Sequence, residues 1–175
     1  MLSRWWFALV LSVAVLLGCA AEPPPAPEQK FSTTDVAWLQ LADALHTRAL
    51  PMLELVPGRA GRPLADLAAR LGAAHEAGRG RLRALLVQAK ITGDNPHTLH
   101  DMPGMPTAQE LEALAKLRKE AFDRRFAELL RAYLEQLVLV ANGERSSGGA
   151  PEARELAAAM ARDHAAELAD LERLG

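Results

Sequence analysis

The stretch HTLHDMPGMP, residues 97–106, puts two imidazoles and two thioethers into ten positions of a chain that has five histidines and five methionines. His97, His100, Met102 and Met105 offer two nitrogens and two sulfurs. Thioether sulfur is a soft ligand suited to Cu(I), and imidazole serves copper in either oxidation state as well as zinc. Pro103-Gly104 can bend the two methionines toward one point, and Asp94 and Asp101 add harder donors for Zn(II) or Cu(II). A loop with no preformed geometry must be ordered on binding, which lowers its affinity. The competing reading of the same residues is a linker that holds no metal.

The other three histidines fall on apolar helical stripes. His46 follows Leu45 and reads as a core-edge side chain or as a helper to the loop. His75 and His164 occupy equivalent places, either as a metal pair across a pseudo-twofold axis or as interfacial residues hydrogen-bonded to neighbouring helices; the second is the favoured reading. Other chemistry is poorly supported. The sequence has no Glu-x-x-His pair at the helical spacing of di-iron bundles. It has no Gly-rich phosphate loop and no nucleophile in a hydrolase setting, so no enzyme is expected. The acidic residues are expected on solvated helix faces.

The elements that must position these side chains begin after a leader. Arg4 precedes the apolar run WWFALVLSVAVLLG, whose fourteen residues would span roughly 21 Å as a helix, short of the ~30 Å bilayer core. A charged start, a short apolar middle and small residues at the end make residues 1–18 a secretory signal. Leu16-Leu17-Gly18-Cys19 resembles the bacterial lipobox, whose cysteine is lipidated and becomes the mature N-terminus. Cys19 is also the only cysteine, which excludes an internal disulfide. The proline-rich segment to residue 30 reads as a semi-extended tether holding the domain off the membrane. The chain is therefore expected in the bacterial cell envelope, lipid-anchored and extracytoplasmic. Without residues 1–18 it carries 19 basic and 22 acidic side chains, a balance that argues against nucleic acid as a partner.

From residue 31 on, the apolar spacing is helical and period-2 alternation is absent. A first helix is expected from Thr33 or Thr34 to about Val56, with Leu39, Ala42, His46, Ala49 and Leu53 on one face. A second runs from about Pro63 to Ala89, with Leu67, Leu71, His75 and Leu82 inward. After the central loop, 91–106, Thr107-x-x-Glu110 has the form of a capping box for a short helix, 107–117. A long helix from Lys119 to Ala141 carries Phe122, Phe126, Leu129, Leu130, Tyr133 and Leu137, with Asn142-Gly143 as its expected stop. Pro151 suits the first turn of a last helix. The result is an all-α fold, a four-helix bundle in one domain over 31–175.

The two halves, about 31–90 and 118–175, look alike. Asp35, Trp38 and Gln40 match Asp123, Phe126 and Glu128 at an offset of 88; Leu67, Leu71, His75 and Leu82 match Leu156, Met160, His164 and Leu171 at 89. This reads as a duplicated helical hairpin. The segments DVAWLQLADALHTRALPMLEL, HDMPGM, FDRRFAELLRAYLEQLVLVANG and PEARELAAAMARDHAAELADLERL, in that order, resemble the domain of unknown function 305 family. The resemblance implies a ferritin-like bundle of duplicated hairpins, commonly secreted or lipid-anchored, some of whose members bind copper. It also implies a methionine pair and a histidine pair on the first helix and again on the third. Here those places hold Leu41, Ala42, Leu45 and His46, then Leu129, Leu130, Tyr133 and Leu134. One histidine survives, so the helix-borne site of the family is expected to be lost. Two functions remain. One is a lipid-anchored copper-binding or copper-buffering protein using the central loop, assisted by His46. The other is a metal-free envelope lipoprotein that presents a surface to a protein partner.

Overall fold

The computed structural model describes residues 30–174. The signal segment, Cys19 and all of the tether but Lys30 lie outside the described residues. Five α-helices follow in order: α1 (Thr33–Glu54), α2 (Arg62–Gln88), α3 (Ala108–Lys116), α4 (Lys119–Ser147) and α5 (Pro151–Glu172), with a short 3-10 turn, Pro96–Leu99, in the central loop. Among the described residues no helix is long and apolar enough to cross a membrane. α1 pairs with α2 and α4 with α5, and the two hairpins close on each other through α1 against α4 and α2 against α5. The short α3 leans on α4.

Local chemistry accounts for most helix starts. Thr107 and Glu110 make the expected capping box at α3. At α1 the cap is one residue earlier than expected: Ser32, whose hydroxyl accepts from the Asp35 amide while Asp35 accepts from the Ser32 amide. α4 does not stop at Asn142-Gly143 but runs on to Ser147. A glycine inside a helix costs only about 1 kcal/mol, and the packing of α4 on α5, which buries Ala141, outweighs that cost.

The duplication is visible in the way the hairpins are joined. Asp35 on α1 accepts hydrogen bonds from the Gly149 and Ala150 amides at the start of α5. Asp123, its counterpart on α4, accepts from the Gly61 amide at the start of α2, at 3.0 and 3.1 Å. Each hairpin thus uses a carboxylate to satisfy free amide donors, and to complement the positive end of the dipole, of a helix in the other.

The core has two apolar clusters. One gathers Leu45, Met52, Leu67, Leu71, Leu114, Phe122, Phe126 and Leu130; the other gathers Trp38, Leu39, Leu82, Ala153, Ala157 and Met160. The expected inward faces of α1, α2 and α4 are all buried. Between the two clusters lies a polar layer, and it does not consist of solvated side chains: Asp43, His46, His75 and His164 are buried within the bundle. Asp35 and Glu144 are buried as well. Contrary to the expectation that the acidic residues lie on solvated faces, three of the carboxylates are interior. Each has a structural task or a close polar neighbour that propensity and periodicity do not register.

The central loop is bolted down at Gly104. Its φ is +78°, and a Cβ there would clash with Gln136 Cβ and come within 3.0 Å of the Ala132 carbonyl on α4. Gly104→Ala therefore meets both backbone strain and a steric clash. It is expected to lower the unfolding free energy by about 2 kcal/mol or more, read as a shift in urea midpoint at unchanged slope.

Candidate metal centre

Four helices bring one residue or more each to the seam between the apolar clusters: His46 from α1, His75 from α2, Tyr133 from α4, and His164 with Glu167 from α5. His164 and Glu167 are three residues apart, so one turn of α5 presents both on the same face. The three imidazole rings crowd together, with centroids 4.9 Å apart for His46 and His75, 5.1 Å for His75 and His164, and 5.5 Å for His46 and His164. None is more than 4% exposed.

A single carboxylate oxygen organises them. Glu167 Oε2 lies 2.9 Å from His75 Nε2 and 2.8 Å from His164 Nδ1. The Tyr133 hydroxyl bridges the other side, 2.9 Å from His75 Nδ1 and 3.1 Å from His46 Nδ1. The remaining ring nitrogens, His46 Nε2 and His164 Nε2, are buried and have no hydrogen-bond partner. Beside His46 the helix α2 carries buried Gly78. The place its Cβ would take is in van der Waals contact with the Met160 methyl at 3.6 Å, His46 Cε1 at 3.8 Å and His46 Nε2 at 4.0 Å. The Met160 methyl and an unpaired imidazole nitrogen thus both lie within 4 Å of one point on α2.

The electrostatics favour a neutral His46 and an ionised Glu167. Burial would raise the Glu167 carboxyl, but the hydrogen bonds from His164 and His75 outweigh it and bring it down to about 2. Burial, with the neighbouring His75, His164 and Arg79, pushes His46 well below the usual imidazole range. Burial, aided by the charge of Glu167, holds the Tyr133 phenol well above its ordinary value. Arg79 is itself held near Asp43 at 3.7 Å and by Glu76 at 2.8 Å.

A buried, unpaired acceptor nitrogen costs free energy unless it finds a donor, a water or a Lewis acid. Neutral imidazole is a metal ligand through either nitrogen, and such a ligand commonly donates its other N–H to a carboxylate. The two imidazole nitrogens left without a partner are donors that suit copper and also zinc. Among the described residues, one group of three or more His, Cys, Asp and Glu side chains has ligand atoms close enough to share an ion: His75, His164 and Glu167.

The sequence-based candidates are distributed differently. His46 is in this cluster. Met105 is buried in the larger apolar cluster and Met102 packs against it. His100 is exposed on the loop, and His97 is half-buried with its amide donating to Asn95 Oδ1. The loop is ordered by other means: Arg48 donates to the Thr98 and Pro106 carbonyls and to Asp101, and Asn95 donates to the Gln40 carbonyl. Of the eight helix positions where the resemblance implies Met and His, His46 and Tyr133 alone are polar, and they are bonded to each other. Tyr133 and Glu167 were missed. The His164-x-x-Glu167 spacing was the available signal for the second.

Two solved structures share the fold. A DUF305 protein from Streptomyces coelicolor, whose name assigns it provisionally to the secreted proteins, superposes with a TM-score of 0.71 at 20% identity, covering 81% of this chain and 91% of its own. A DUF305 fragment from Deinococcus radiodurans gives a TM-score of 0.73 at 19% identity, covering 82% of this chain and 96% of its own. Nothing among the curated proteins matches the chain. The model of the family described as a domain of unknown function, DUF305, matches residues 35–174, and the chain belongs to that family.

Proposed function

We propose that the protein is a lipid-anchored, extracytoplasmic helical bundle that binds a transition-metal ion, copper in the first instance, in its interior histidine layer. The observation that carries this reading is the pair of buried imidazole nitrogens, His46 Nε2 and His164 Nε2, that have no partner. A soft or borderline cation is the partner their chemistry selects. His46 and His164 would hold the ion, and the ion would supply a Lewis acid where the fold otherwise leaves bare lone pairs. The function is binding or buffering rather than turnover. The loop residues His97, His100, Met102 and Met105 are the alternative place for the ion, favoured by their composition alone.

The envelope address rests on the apolar leader and Cys19 and accords with the Streptomyces relative named among secreted proteins. Cys19→Ser is expected to abolish incorporation of labelled palmitate and to release the protein from the membrane fraction; unchanged labelling would remove the anchor from this account.

The test of metal binding is an anaerobic Cu(I) competition titration of the full chain in detergent, run beside a His46→Leu/His164→Leu variant and a variant lacking the four loop donors. One-to-one binding lost only in the first variant supports the interior centre. Loss only in the second moves the ion to the loop. Absence of binding in the unsubstituted protein ends the metal reading and leaves a bundle that acts through a protein partner.

A further inference from the structure

The three rings and Tyr133 form a chain of hydrogen bonds with a direction. We infer that Glu167 dictates, through His75 and Tyr133, which nitrogen of His46 carries its proton, so that His46 Nε2 and His164 Nε2 are the two ligating atoms of the centre. This rests on the metal-binding reading above and adds what keeps those two nitrogens free of hydrogen and which residues position them.

The argument is one of donors and acceptors. Both contacts at Glu167 converge on one carboxylate oxygen, 2.9 Å from His75 Nε2 and 2.8 Å from His164 Nδ1. A carboxylate oxygen accepts, so each of those nitrogens carries a hydrogen. A neutral imidazole has one N–H, which leaves His164 Nε2 and His75 Nδ1 as acceptors. His75 Nδ1 then takes the single hydroxyl hydrogen of Tyr133, 2.9 Å away. The Tyr133 oxygen has no second hydrogen to offer His46 Nδ1 at 3.1 Å, so His46 Nδ1–H donates to it. His46 Nε2 is left as a lone pair, in agreement with its lack of any partner. One anion thus fixes two rings directly and a third across a phenol, and both bare nitrogens emerge on rings whose centroids are 5.5 Å apart.

The arrangement separates positioning residues from ligands. Glu167, His75 and Tyr133 hold the ligands in the correct tautomer; loss of such an outer partner typically weakens metal binding by about 10–100-fold. Tyr133 is the informative position, because Tyr133→Phe keeps the ring and removes only the bridge.

The experiment is two-bond proton–nitrogen correlation on the full-length, nitrogen-15-labelled protein in detergent at about pH 8, where unperturbed imidazole is neutral. The metal-free protein is expected to show Nδ1–H for His46 and His164 and Nε2–H for His75. In Tyr133→Phe, His164 and His75 should keep their tautomers, His46 should pass to a mixture, and Cu(I) affinity should fall about 10–100-fold. His46 protonated at Nε2 in the unsubstituted protein overturns the inference without any variant. An unchanged His46 tautomer or unchanged affinity in Tyr133→Phe also overturns it. If the tautomers are as stated but no metal binds, the metal reading fails instead, and with it the assignment of ligand atoms.

Discussion

The His46→Leu/His164→Leu protein is expected to fold, to be about as stable as the unsubstituted protein without metal, and to lose all stabilisation by copper. Both side chains are buried, and each has a nitrogen with no partner. Leucine removes that unmet acceptor and adds apolar contact, offsetting the lost bonds to Tyr133 and Glu167. The counterpart of His46 in the second half is Leu134, which is fully buried, so the bundle already accommodates leucine at this level. With free Cu(I) at about 1,000 times Kd, the unsubstituted protein gains about 4 kcal/mol. For a domain of this size that is roughly 8–16 °C in Tm. Thermal melts with and without anaerobic Cu(I), followed by circular dichroism, read both halves of the expectation. A copper-dependent shift that survives in the double variant places the ion elsewhere.

The second large effect lies at the other polar pair. Burial, and then the adjacent Asp35 carboxylate, push the Glu144 carboxyl up to about 8. Burial acts in the same direction on Asp35, but the neighbouring Glu144 carboxyl and hydrogen bonds from Ser32 and the Ala150 amide outweigh it and hold Asp35 near 2. The signs are opposite. Glu144, raised in the folded state, contributes stability that is fully present below about pH 4.5 and is lost as pH rises through 8. Asp35, lowered, contributes stability above about 3.8 that is lost as pH falls toward 2. Glu144→Gln should therefore be more stable than the unsubstituted protein at pH 8–9 by a few kcal/mol, the difference shrinking to little at pH 5. His46, lowered in the fold, tilts both proteins alike, so the difference between them isolates Glu144. Urea unfolding of the two proteins at pH 5, 6.5, 8 and 9 gives that difference directly. Parallel curves across this range would show that Glu144 does not carry the proton.

Much of this molecule was legible in local pattern. The faces of α1, α2 and α4 repeat every three to four residues, and a helix must bury such a stripe, so their existence and inward residues followed from spacing. The Thr107–Glu110 box and the proline at the start of α5 are equally local, and the structure shows both of them. Helix ends were less legible. Asn142-Gly143 carries a stop signal worth about 1 kcal/mol, and packing of the next turn overrides it. The histidines mark the limit. Periodicity places His46, His75 and His164 on apolar stripes but does not say which stripes meet or at what height. That depends on how two hairpins close, with Asp35 and Asp123 each fastening the start of a helix in the other half. Only at that closure do residues 92 positions apart, His75 and Glu167, come within hydrogen-bonding distance. Composition drew attention to the loop, where four donor residues are neighbours in the chain. The tertiary fold gathered a different set, because a buried polar group must find its partner across helices rather than along one.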